Sequence, residues 1–293
     1  MKAKAIKMHG QGNDYIIIDL IDYVGKSCLA TKDSVDWNSL AIRLSDRHFG
    51  IGGDGIVLIE EADVEQQKAE VMMRMFNADG SEAETCGTAL RCVAFYFHEM
   101  YLISGLLHKL AITKSTDNKI YIHTLSGIKE CIIDDFGIVS VNMGKVSLEK
   151  EMTIEIEGNN VYGYYINIGN PHFVVFENEL LREKEDIWDK IGTHSAFPNK
   201  TNVENVEIKR PVSGIMSLDA IQIKIWERGS GFTLSCGSGA CASAFISHKV
   251  MNLSDRIKVF VPGGEVLVQI LGDSTCVLSG SVEKVFETEV RLV

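Results

Sequence analysis

Two short stretches of the 293-residue chain decide its fold: Cys86-Gly87-Thr88-Ala89-Leu90-Arg91-Cys92 and Cys236-Gly237-Ser238-Gly239-Ala240-Cys241. Each stretch starts with Cys-Gly and a hydroxyl residue. Each also opens a run rich in alanine and large apolar residues, over 87–98 and 237–250. Helices that are apolar on nearly every face are usually buried. We therefore expect two helices, each running through the middle of its own sheet.

A second, weaker similarity within the chain accompanies these two stretches. The stretches start 150 residues apart, and Gly12-Asn13-Asp14-Tyr15 returns as Gly169-Asn170-Pro171-His172-Phe173 at an offset of 157. Two matches at similar offsets predict an internal duplication with pseudo-twofold symmetry. Since domains usually have about 100 to 200 residues, the length also predicts two domains. The expected halves comprise residues 1–130 with 281–293, and residues 131–280.

Outside the two helices, the sequence is typical of short strands separated by turn residues. Apolar and polar residues alternate over 70–76, which is the period of a half-buried strand. Pro262-Gly263-Gly264 separates the apolar runs 257–261 and 266–270 and predicts a hairpin turn. Further strands are predicted at 15–19, 56–59, 120–122, 152–156, 162–168, 173–176 and 220–226.

A third helix and a glycine-rich turn follow one another in the first half. Residues 37–44 predict a surface helix capped by Asp33 or Ser34. Gly50-Ile51-Gly52-Gly53-Asp54-Gly55 matches the dinucleotide-binding fingerprint letter by letter. However, it leaves a helix and enters the strand at 56–59, whereas the fingerprint leaves a strand and opens a helix. We therefore predict a tight turn.

The composition excludes several classes of protein. A net charge of -11 and a pI near 5.2 disfavour binding to a polyanion, and no basic stripe with interleaved aromatics is present. No run approaches the roughly 18 apolar residues that span a bilayer, and no signal-peptide pattern follows Met1. Seven cysteines, an odd number, argue against a disulfide framework. We expect a cytoplasmic protein without a nucleic-acid or membrane partner.

Cys86 and Cys236 are candidate reactive thiols because each is predicted at a helix N-cap. Unpaired backbone N–H groups and the positive end of the helix dipole collect there, which favours thiolate and lowers a cysteine pKa from about 8.5. Inverting a stereocentre needs a base on one face of Cα and an acid on the other. The expected α-carboxylate site comprises the backbone N–H groups of Gly87, Thr88, Gly237 and Ser238.

Other interpretations of the cysteines stay open. Both Cys-Gly starts could be helix caps without catalysis. Zinc could bind all four cysteines of the two stretches, although the spacing within each stretch is wider than usual and no histidine stands at ligand spacing. Cys92 and Cys241 fall inside the helices, so we assign them to the core.

Three other polar residues carry weaker signals. His9 and His172 each adjoin a Gly-Asn pair or its motif, but a lone histidine is more often structural, so neither enters the catalytic set. Arg228 directly follows Glu227. It could form an exposed ion pair or provide a fork for a second carboxylate.

Ordered motifs run through nearly the whole chain. They are Met8-His9-Gly10-Gln11-Gly12-Asn13-Asp14-Tyr15, Asp46-Arg47-His48-Phe49-Gly50-Ile51-Gly52-Gly53-Asp54-Gly55, Phe76-Asn77-Ala78-Asp79-Gly80-Ser81-Glu82, Gly169-Asn170-Pro171-His172, Thr201-Asn202-Val203 and Glu227-Arg228-Gly229. With the two Cys-Gly stretches, these motifs make the chain resemble the diaminopimelate epimerase family.

This resemblance implies a fold and a site. The fold is α+β, with two domains that are each a mostly antiparallel barrel-like sheet around a central helix, and with the C-terminal strand returning to the first domain. Cys86 and Cys236 would be the catalytic pair, without a pyridoxal cofactor or a metal. The reacting α-carboxylate would lie on the two helix starts. The residues implied to hold the distal carboxylate and ammonium are Asn13, Asn77, Asn170, Asn202, Glu227 and Arg228.

Two departures from the family pattern bear on the choice of substrate. Thr88-Ala89-Leu90 replaces the usual Asn-Gly-Ala after the first Cys-Gly, which keeps a backbone donor but loses a side-chain amide. Phe232 replaces the glutamate that usually precedes Thr233, so an apolar ring is expected near the site instead of a charge.

The expected activity is inversion of LL- to meso-diaminopimelate, a step in lysine and peptidoglycan precursor biosynthesis, with a small-molecule amino acid as substrate. A homodimer is compatible with this expectation. One alternative keeps the chemistry and changes the substrate, as in a racemase of histidine or another amino acid. The other is a non-catalytic zinc-binding or ligand-binding protein.

Overall fold

The computed structural model describes residues 2–21, 35–62, 69–103, 118–209 and 218–292. The chain divides into two compact units, Met1–Val141 with Ser281–Val293, and Asn142–Gly280. The boundary expected after residue 130 would cut the strand Gly127–Ile133. That strand pairs with the next one, Val139–Lys145, through Cys131 and Val141, and the two compact units divide within this next strand, after Val141.

The first unit is a sheet with one central helix. Its strands are β1 Lys2–Gly10, β2 Asn13–Asp19, β3 Gly55–Glu61, β4 Val71–Asn77, β5 Glu82–Ala83, β6 Lys119–Thr124, β7 Gly127–Ile133, the start of β8 Val139–Lys145, and β18 Glu283–Arg291. Its helices are α1 Trp37–Ser45 and α2 Gly87–Phe97, the latter continued by a π-helical turn, His98–Ile103.

The second unit repeats this plan. Its further strands are β9 Ser147–Ile156, β10 Asn159–Asn167, β11 Pro171–Phe176, β12 Asn202–Lys209, β13 Asp219–Glu227, β14 Gly231–Phe232, β15 Arg256–Val261, β16 Gly264–Ile270 and β17 Thr275–Gly280. Its helices are α3 Glu179–Glu183, α4 Asp186–Gly192 and α5 Gly237–Met251.

Strand pairing follows the same order in both units, as an internal duplication requires. In the first unit β1–β2 is antiparallel, β2–β3 parallel, β3–β4 antiparallel and β4–β6 parallel. In the second unit β10–β11, β11–β12, β12–β13 and β13–β15 repeat that sequence of directions. The expected return of the C-terminal strand is also present, because β18 pairs with β1.

The two central helices are buried as their all-round apolar sequences predict. All but one residue of α2 and most of α5 are shielded from solvent, and each helix packs against several strands of its own unit. A helix that contacts strands on every side gains from apolar residues on every face. α5 ends at Asn252, whose left-handed backbone (φ 55°) is a common helix terminator.

The start of α1 differs from the prediction. Asp36 is the N-cap, and its side chain accepts a hydrogen bond from the backbone N–H of Ser39 (3.1 Å). The predicted caps, Asp33 and Ser34, lie outside the described residues. Asp36 directly precedes Trp37, the first helical residue, and so it can reach the third N–H of the helix as N-cap carboxylates do.

Two predicted turns, one in each unit, are present in the structure. After α1, backbone N–H groups of Gly50 and Gly53 bond to the carbonyls of Asp46 and Ser45, and the chain then enters β3. This is a tight turn and not a nucleotide-binding loop. In the second unit β15 and β16 form the predicted hairpin, in which Val261 pairs with Gly264.

None of the helices in the described part of the chain combines the length and apolar character that crossing a bilayer requires.

Candidate active site

Each central helix begins directly after a cysteine. Cys86 and Cys236 are the N-caps of α2 and α5 and have extended backbones (φ -147° and -130°). Their carbonyls accept the first intrahelical hydrogen bonds, from the N–H groups of Leu90 and Ala240 (2.9 Å each). The first N–H groups of a helix have no acceptor within it. In these two helices they belong to Gly87, Thr88, Gly237 and Ser238.

The first thiol contacts a tyrosine. Tyr15 Oη lies 3.3 Å from Cys86 Sγ, and the Tyr15 side chain is almost fully buried on β2. Cys86 is partly exposed and makes no side-chain cap hydrogen bond to α2. Thr88, two residues further on, is buried, and its hydroxyl accepts a hydrogen bond from Arg91 (3.3 Å). The hydroxyl group that contacts the first thiol therefore comes from a strand of the sheet.

Arg91 ties the first helix to its surroundings. Its guanidinium is fully buried and donates to Gln11 Oε1 (2.9 Å) and to the carbonyl of Ser281 (3.2 Å). Gln11 belongs to the β1–β2 turn, where it and Gly12 both have positive φ (51° and 79°). The buried cation thus joins α2, this hairpin turn and the segment leading into β18.

Asn13 and Asn77 lie on the same sheet as Tyr15. Asn13 pairs with Gly10 at the end of the β1–β2 hairpin, two residues before Tyr15. Tyr15 pairs with Gly55, and Gly55 pairs with Asn77, so the three form one row across β2, β3 and β4. The Asn77 side chain donates to Ser81 Oγ (2.9 Å).

The second thiol has a different set of neighbours. Cys236 Sγ accepts a hydrogen bond from the backbone N–H of Gly239 (3.4 Å) and lies 3.4 Å from Ser238 Oγ. Ser238 Oγ also accepts from Asn170 Nδ2 (3.3 Å). Either the Ser238 hydroxyl or the Cys236 thiol can be the donor in their contact. The whole arrangement lies within the second unit.

The pKa of Cys236 departs from the sequence prediction. Burial raises it well above the ordinary thiol value, and the negative charges of Glu227 and Glu204 raise it further. The hydrogen bonds from Ser238 and Gly239 lower it, but they do not outweigh those effects. The expected lowering at a helix N-cap is therefore wrong for Cys236, because that expectation omitted desolvation and both carboxylates.

A buried histidine and glutamate extend this cluster. His172 Nδ1 lies 2.7 Å from Glu204 Oε1, and both side chains are fully buried. His172 Nε2 lies 3.2 Å from Asn170 Oδ1. A continuous chain of polar contacts thus runs from Glu204 through His172, Asn170 and Ser238 to Cys236. Sequence reasoning left His172 out and missed Glu204, although Glu204 stands two residues after Asn202 and so on the same strand face.

Glu227 and Asn202 lie in the same unit, and both side chains make hydrogen bonds. Glu227 Oε1 accepts a hydrogen bond from Thr233 Oγ1 (2.6 Å), and desolvation raises the pKa of the Glu227 carboxyl. Asn202 Oδ1 accepts from the backbone N–H of Arg228 (3.0 Å), and its Nδ2 donates to the Pro171 carbonyl (3.2 Å). Asn202 therefore holds backbone segments in place.

Arg228 has an exposed side chain. One of its Nη atoms donates to the carbonyl of Asn199 (2.8 Å). This contact anchors the arginine side chain to a backbone oxygen.

Most of the chain matches one sequence family. The profile of diaminopimelate epimerases matches residues 5–149 and 164–285. This chain belongs to the diaminopimelate epimerase family. It is 35% identical over 300 residues to the diaminopimelate epimerase of Carboxydothermus hydrogenoformans, across 98% of this chain and 99% of that protein. It is also 35% identical over 302 residues to that of Parabacteroides distasonis, across 98% and 97%.

Solved structures share the fold at low sequence identity. A phenazine biosynthesis protein of the PhzF family from Bacillus anthracis superposes with a TM-score of 0.71 at 14% identity, across 99% of each chain. A hydroxyproline epimerase from Agrobacterium vitis, solved with trans-4-hydroxy-L-proline, gives 0.66 at 13% identity, across 99% of this chain and 92% of that one. Both confirm the predicted α+β fold.

The sequence also singles out Cys92, Cys241 and Phe232. Cys92 and Cys241 are fully buried in the helices, as predicted, and burial raises the pKa of Cys92 to about 12. Within the described residues, no three His, Cys, Asp or Glu side chains are grouped as a metal site would need. The Phe232 ring packs against Trp188 (5.3 Å between centroids), with Lys224 Nζ 4.5 Å from its centre. The contacts of this departure from the family are thus with α4 and β13.

Proposed function

We propose that this protein is an epimerase that inverts one Cα of LL-diaminopimelate to give the meso isomer. The observation that carries the proposal is a cysteine at the start of the buried helix in each duplicated unit. Full-length relatives named diaminopimelate epimerase support the choice of substrate.

The proposed chemistry uses the two thiols as base and acid. One thiolate takes the Cα proton and becomes a thiol, while the electron pair of the broken C–H bond stays on Cα and spreads into the α-carboxylate. The other thiol then gives its proton to the opposite face of Cα. Backbone N–H groups of the two helix starts would stabilise the charge that builds on the carboxylate. The scheme draws on the chain's own side chains and calls for no cofactor.

The environment of Cys236 supports a division of labour between the thiols. A raised pKa keeps the Cys236 proton in place at neutral pH. We therefore assign Cys236 as the acid and Cys86 as the base of the turnover that starts from the resting enzyme. In the reverse reaction each thiol takes the other role.

The polar residues are proposed to hold the two ends of the substrate. Asn170 and Glu227 were expected at the distal end, but their proximity to Cys236 supports a place at the reacting end. Glu227 would accept the α-ammonium group, since a carboxylate binds a cation most strongly in a desolvated site. Asn13, Asn77, Asn202 and Arg228 remain assigned to the distal carboxylate and ammonium. A cytoplasmic location and a homodimer remain predictions.

The test uses LL-diaminopimelate in deuterium oxide and follows deuterium at Cα together with formation of the meso isomer. We expect Cys86→Ala and Cys236→Ala each to lower turnover at least about 100-fold, because each removes one acid-base group. Cys92→Ala and Cys241→Ala are matched controls, since each removes a buried thiol from the same helix.

The outcomes separate chemistry from substrate. If either Cys86→Ala or Cys236→Ala keeps near-normal turnover, the two-base scheme is wrong. If the wild-type protein leaves diaminopimelate unchanged but incorporates deuterium at Cα of another amino acid, such as histidine, the chemistry stands and the substrate assignment fails.

A further inference from the structure

A tyrosine lies beside the first thiol, and the role inferred for it below rests on the proposed function. Tyr15 Oη lies 3.3 Å from Cys86 Sγ, with the tyrosine side chain only 4% exposed. The tyrosine side of this contact is shielded from water, and hydrogen bonds are stronger in such surroundings than in water. A phenolic hydroxyl can act as a hydrogen-bond donor as well as an acceptor. It can therefore donate to the sulfur whenever the sulfur is an anion.

We propose that Tyr15 is a positioning residue for the first base: its hydroxyl donates a hydrogen bond to the Cys86 thiolate, which stabilises the anion and holds the sulfur in place. The phenol keeps its own proton throughout. When Sγ takes the Cα proton, an S–H bond forms and the Tyr15 hydroxyl remains as a weaker donor to the neutral thiol.

The duplication strengthens this assignment. In the second unit the hydroxyl two residues after the cysteine, Ser238, contacts the sulfur. In the first unit the equivalent hydroxyl, Thr88, accepts from Arg91. Tyr15 brings a hydroxyl to the Cys86 sulfur from a neighbouring strand. Each thiol therefore has a hydroxyl contact, and the two contacts come from different elements of the fold.

The fixed position of Tyr15 makes it a suitable donor. Its backbone lies in the middle of three paired strands, where it is matched with Met8 on β1 and Gly55 on β3. Strand pairing on both sides fixes the Cα position, and a tyrosine side chain has few torsions left to adjust. A donor that is already in place needs little reorganisation when charge forms on the sulfur.

The experiment compares Tyr15→Phe with wild type and with Tyr96→Phe. The control removes the hydroxyl of another buried tyrosine of the first unit, which bonds to Asp19 (3.0 Å). The rate of Cys86 alkylation by iodoacetamide is measured against pH, with mass spectrometry of tryptic peptides. Trypsin cleaves after Arg91 and so separates Cys86 from Cys92.

A hydrogen bond to a charged group changes an equilibrium by about 10-fold or more. We therefore expect Tyr15→Phe to raise the pH midpoint of Cys86 alkylation by about one unit. Turnover of diaminopimelate should fall about 10-fold, with little change in KM. Tyr96→Phe should leave the midpoint where it is. A midpoint in Tyr15→Phe equal to that of wild type would overturn the proposal.

A second measurement needs no change at Tyr15. In wild-type protein labelled with ¹³Cζ-tyrosine, one tyrosine signal should titrate with the same midpoint as Cys86 alkylation, and this response should vanish in Cys86→Ala. Absence of any such signal would also overturn the proposal. If these responses appear but the wild type epimerises no amino acid, the proposed function fails while the Tyr15 assignment stands.

Discussion

At the scale of single residues, the ionisation of Cys236 shows how two opposing effects balance. The start of α5 offers it two hydrogen-bond donors, which favour the thiolate. Burial and two carboxylates favour the thiol, and their combined effect is the larger one, so the pKa of Cys236 is raised. A buried group loses more by desolvation than a helix end returns, since helix-end interactions are usually worth below about 1 kcal/mol. The sequence shows the helix end but not the carboxylates around it.

The first prediction follows from the charge of Glu227. Glu227→Gln removes a negative group that raises the pKa of Cys236, so that pKa should fall and alkylation of Cys236 should begin at lower pH. Cys236 then keeps its proton only up to a lower pH. Because the proposed reaction needs this proton, the loss of turnover at high pH should also begin at lower pH. Turnover itself should fall about 10-fold or more, because the proposed contact with the α-ammonium is lost.

Glu207→Gln is the control for this prediction, since Glu207 is a glutamate of the same unit that pairs with Lys209 (2.6 Å). It should leave both profiles unchanged. If Glu227→Gln shifts the Cys236 profile upward or not at all, the electrostatic account of the second thiol is wrong.

The sequence identified both thiols but not their partners. Cys86 and Cys236 can be identified from one contiguous stretch each, because the cysteine and the small residues that begin the helix are adjacent in sequence. The contacts of Cys86 with Tyr15, and of His172 with Glu204, join residues 71 and 32 positions apart. Such contacts depend on strand register and on which sheet face meets the helix, and no local pattern specifies either.

At the scale of secondary-structure elements, the candidate site residues of the two units occupy equivalent strand positions. In the first unit Tyr15, Gly55 and Asn77 form a row across three strands. In the second, His172 pairs with Asn202, and the register of β12 with β13 brings Glu227 next in that row. The same positions of the same strands thus hold different side chains. We infer that duplication fixed where functional groups lie, while their chemistry diverged.

The second prediction concerns the contact of α5 with β12. A methyl group on Gly239 would lie 2.5 Å from Glu204 Oε1, closer than two such atoms can approach. Gly239→Ala should therefore destabilise the protein by about 1 to 3 kcal/mol, as overpacking does. It should also lower turnover, because Glu204 must shift away from His172. Urea unfolding and the diaminopimelate assay measure the two effects.

Gly272→Ala is the matched control, because a methyl group there meets no atom within 4 Å. We expect it to behave as wild type in both assays. Equal stability of the two variants would mean that Glu204 does not pack against the helix start as described.

Element predictions succeeded where the pattern is local and failed where it is not. Both central helices and the 257–270 hairpin follow from periodicity and turn residues, and both were confirmed. The cap of α1 was misassigned because two adjacent acidic or hydroxyl candidates precede Asp36. The division between units was expected after residue 130, inside β7, whereas the two compact units divide after Val141, inside β8.

At the scale of the whole molecule, the two units differ in how the chain builds them. The second unit is continuous from Asn142 to Gly280, whereas the first is completed by the last segment of the chain. β18 pairs with β1 along nearly its full length, and Val290 and Leu292 enter the apolar core of the first unit. The stability of the first unit should therefore depend on its last segment, residues 281–293, which is far in sequence from the rest of that unit.

The last prediction tests this dependence with two substitutions on one strand. Val290 is 6% exposed and packs in the core of the first unit, whereas Val285, on the same strand, is 50% exposed. Val290→Asp buries a carboxylate among apolar side chains and should cost about 3 kcal/mol or more. Val285→Asp should cost less than about 0.5 kcal/mol. In native-state hydrogen exchange, amides of β1 to β4 should lose protection in Val290→Asp, while those of β12 and β13 keep it. Equal loss across all these strands would mean that the two units unfold as one, because a local defect in one cooperative unit lowers the protection of every amide in it.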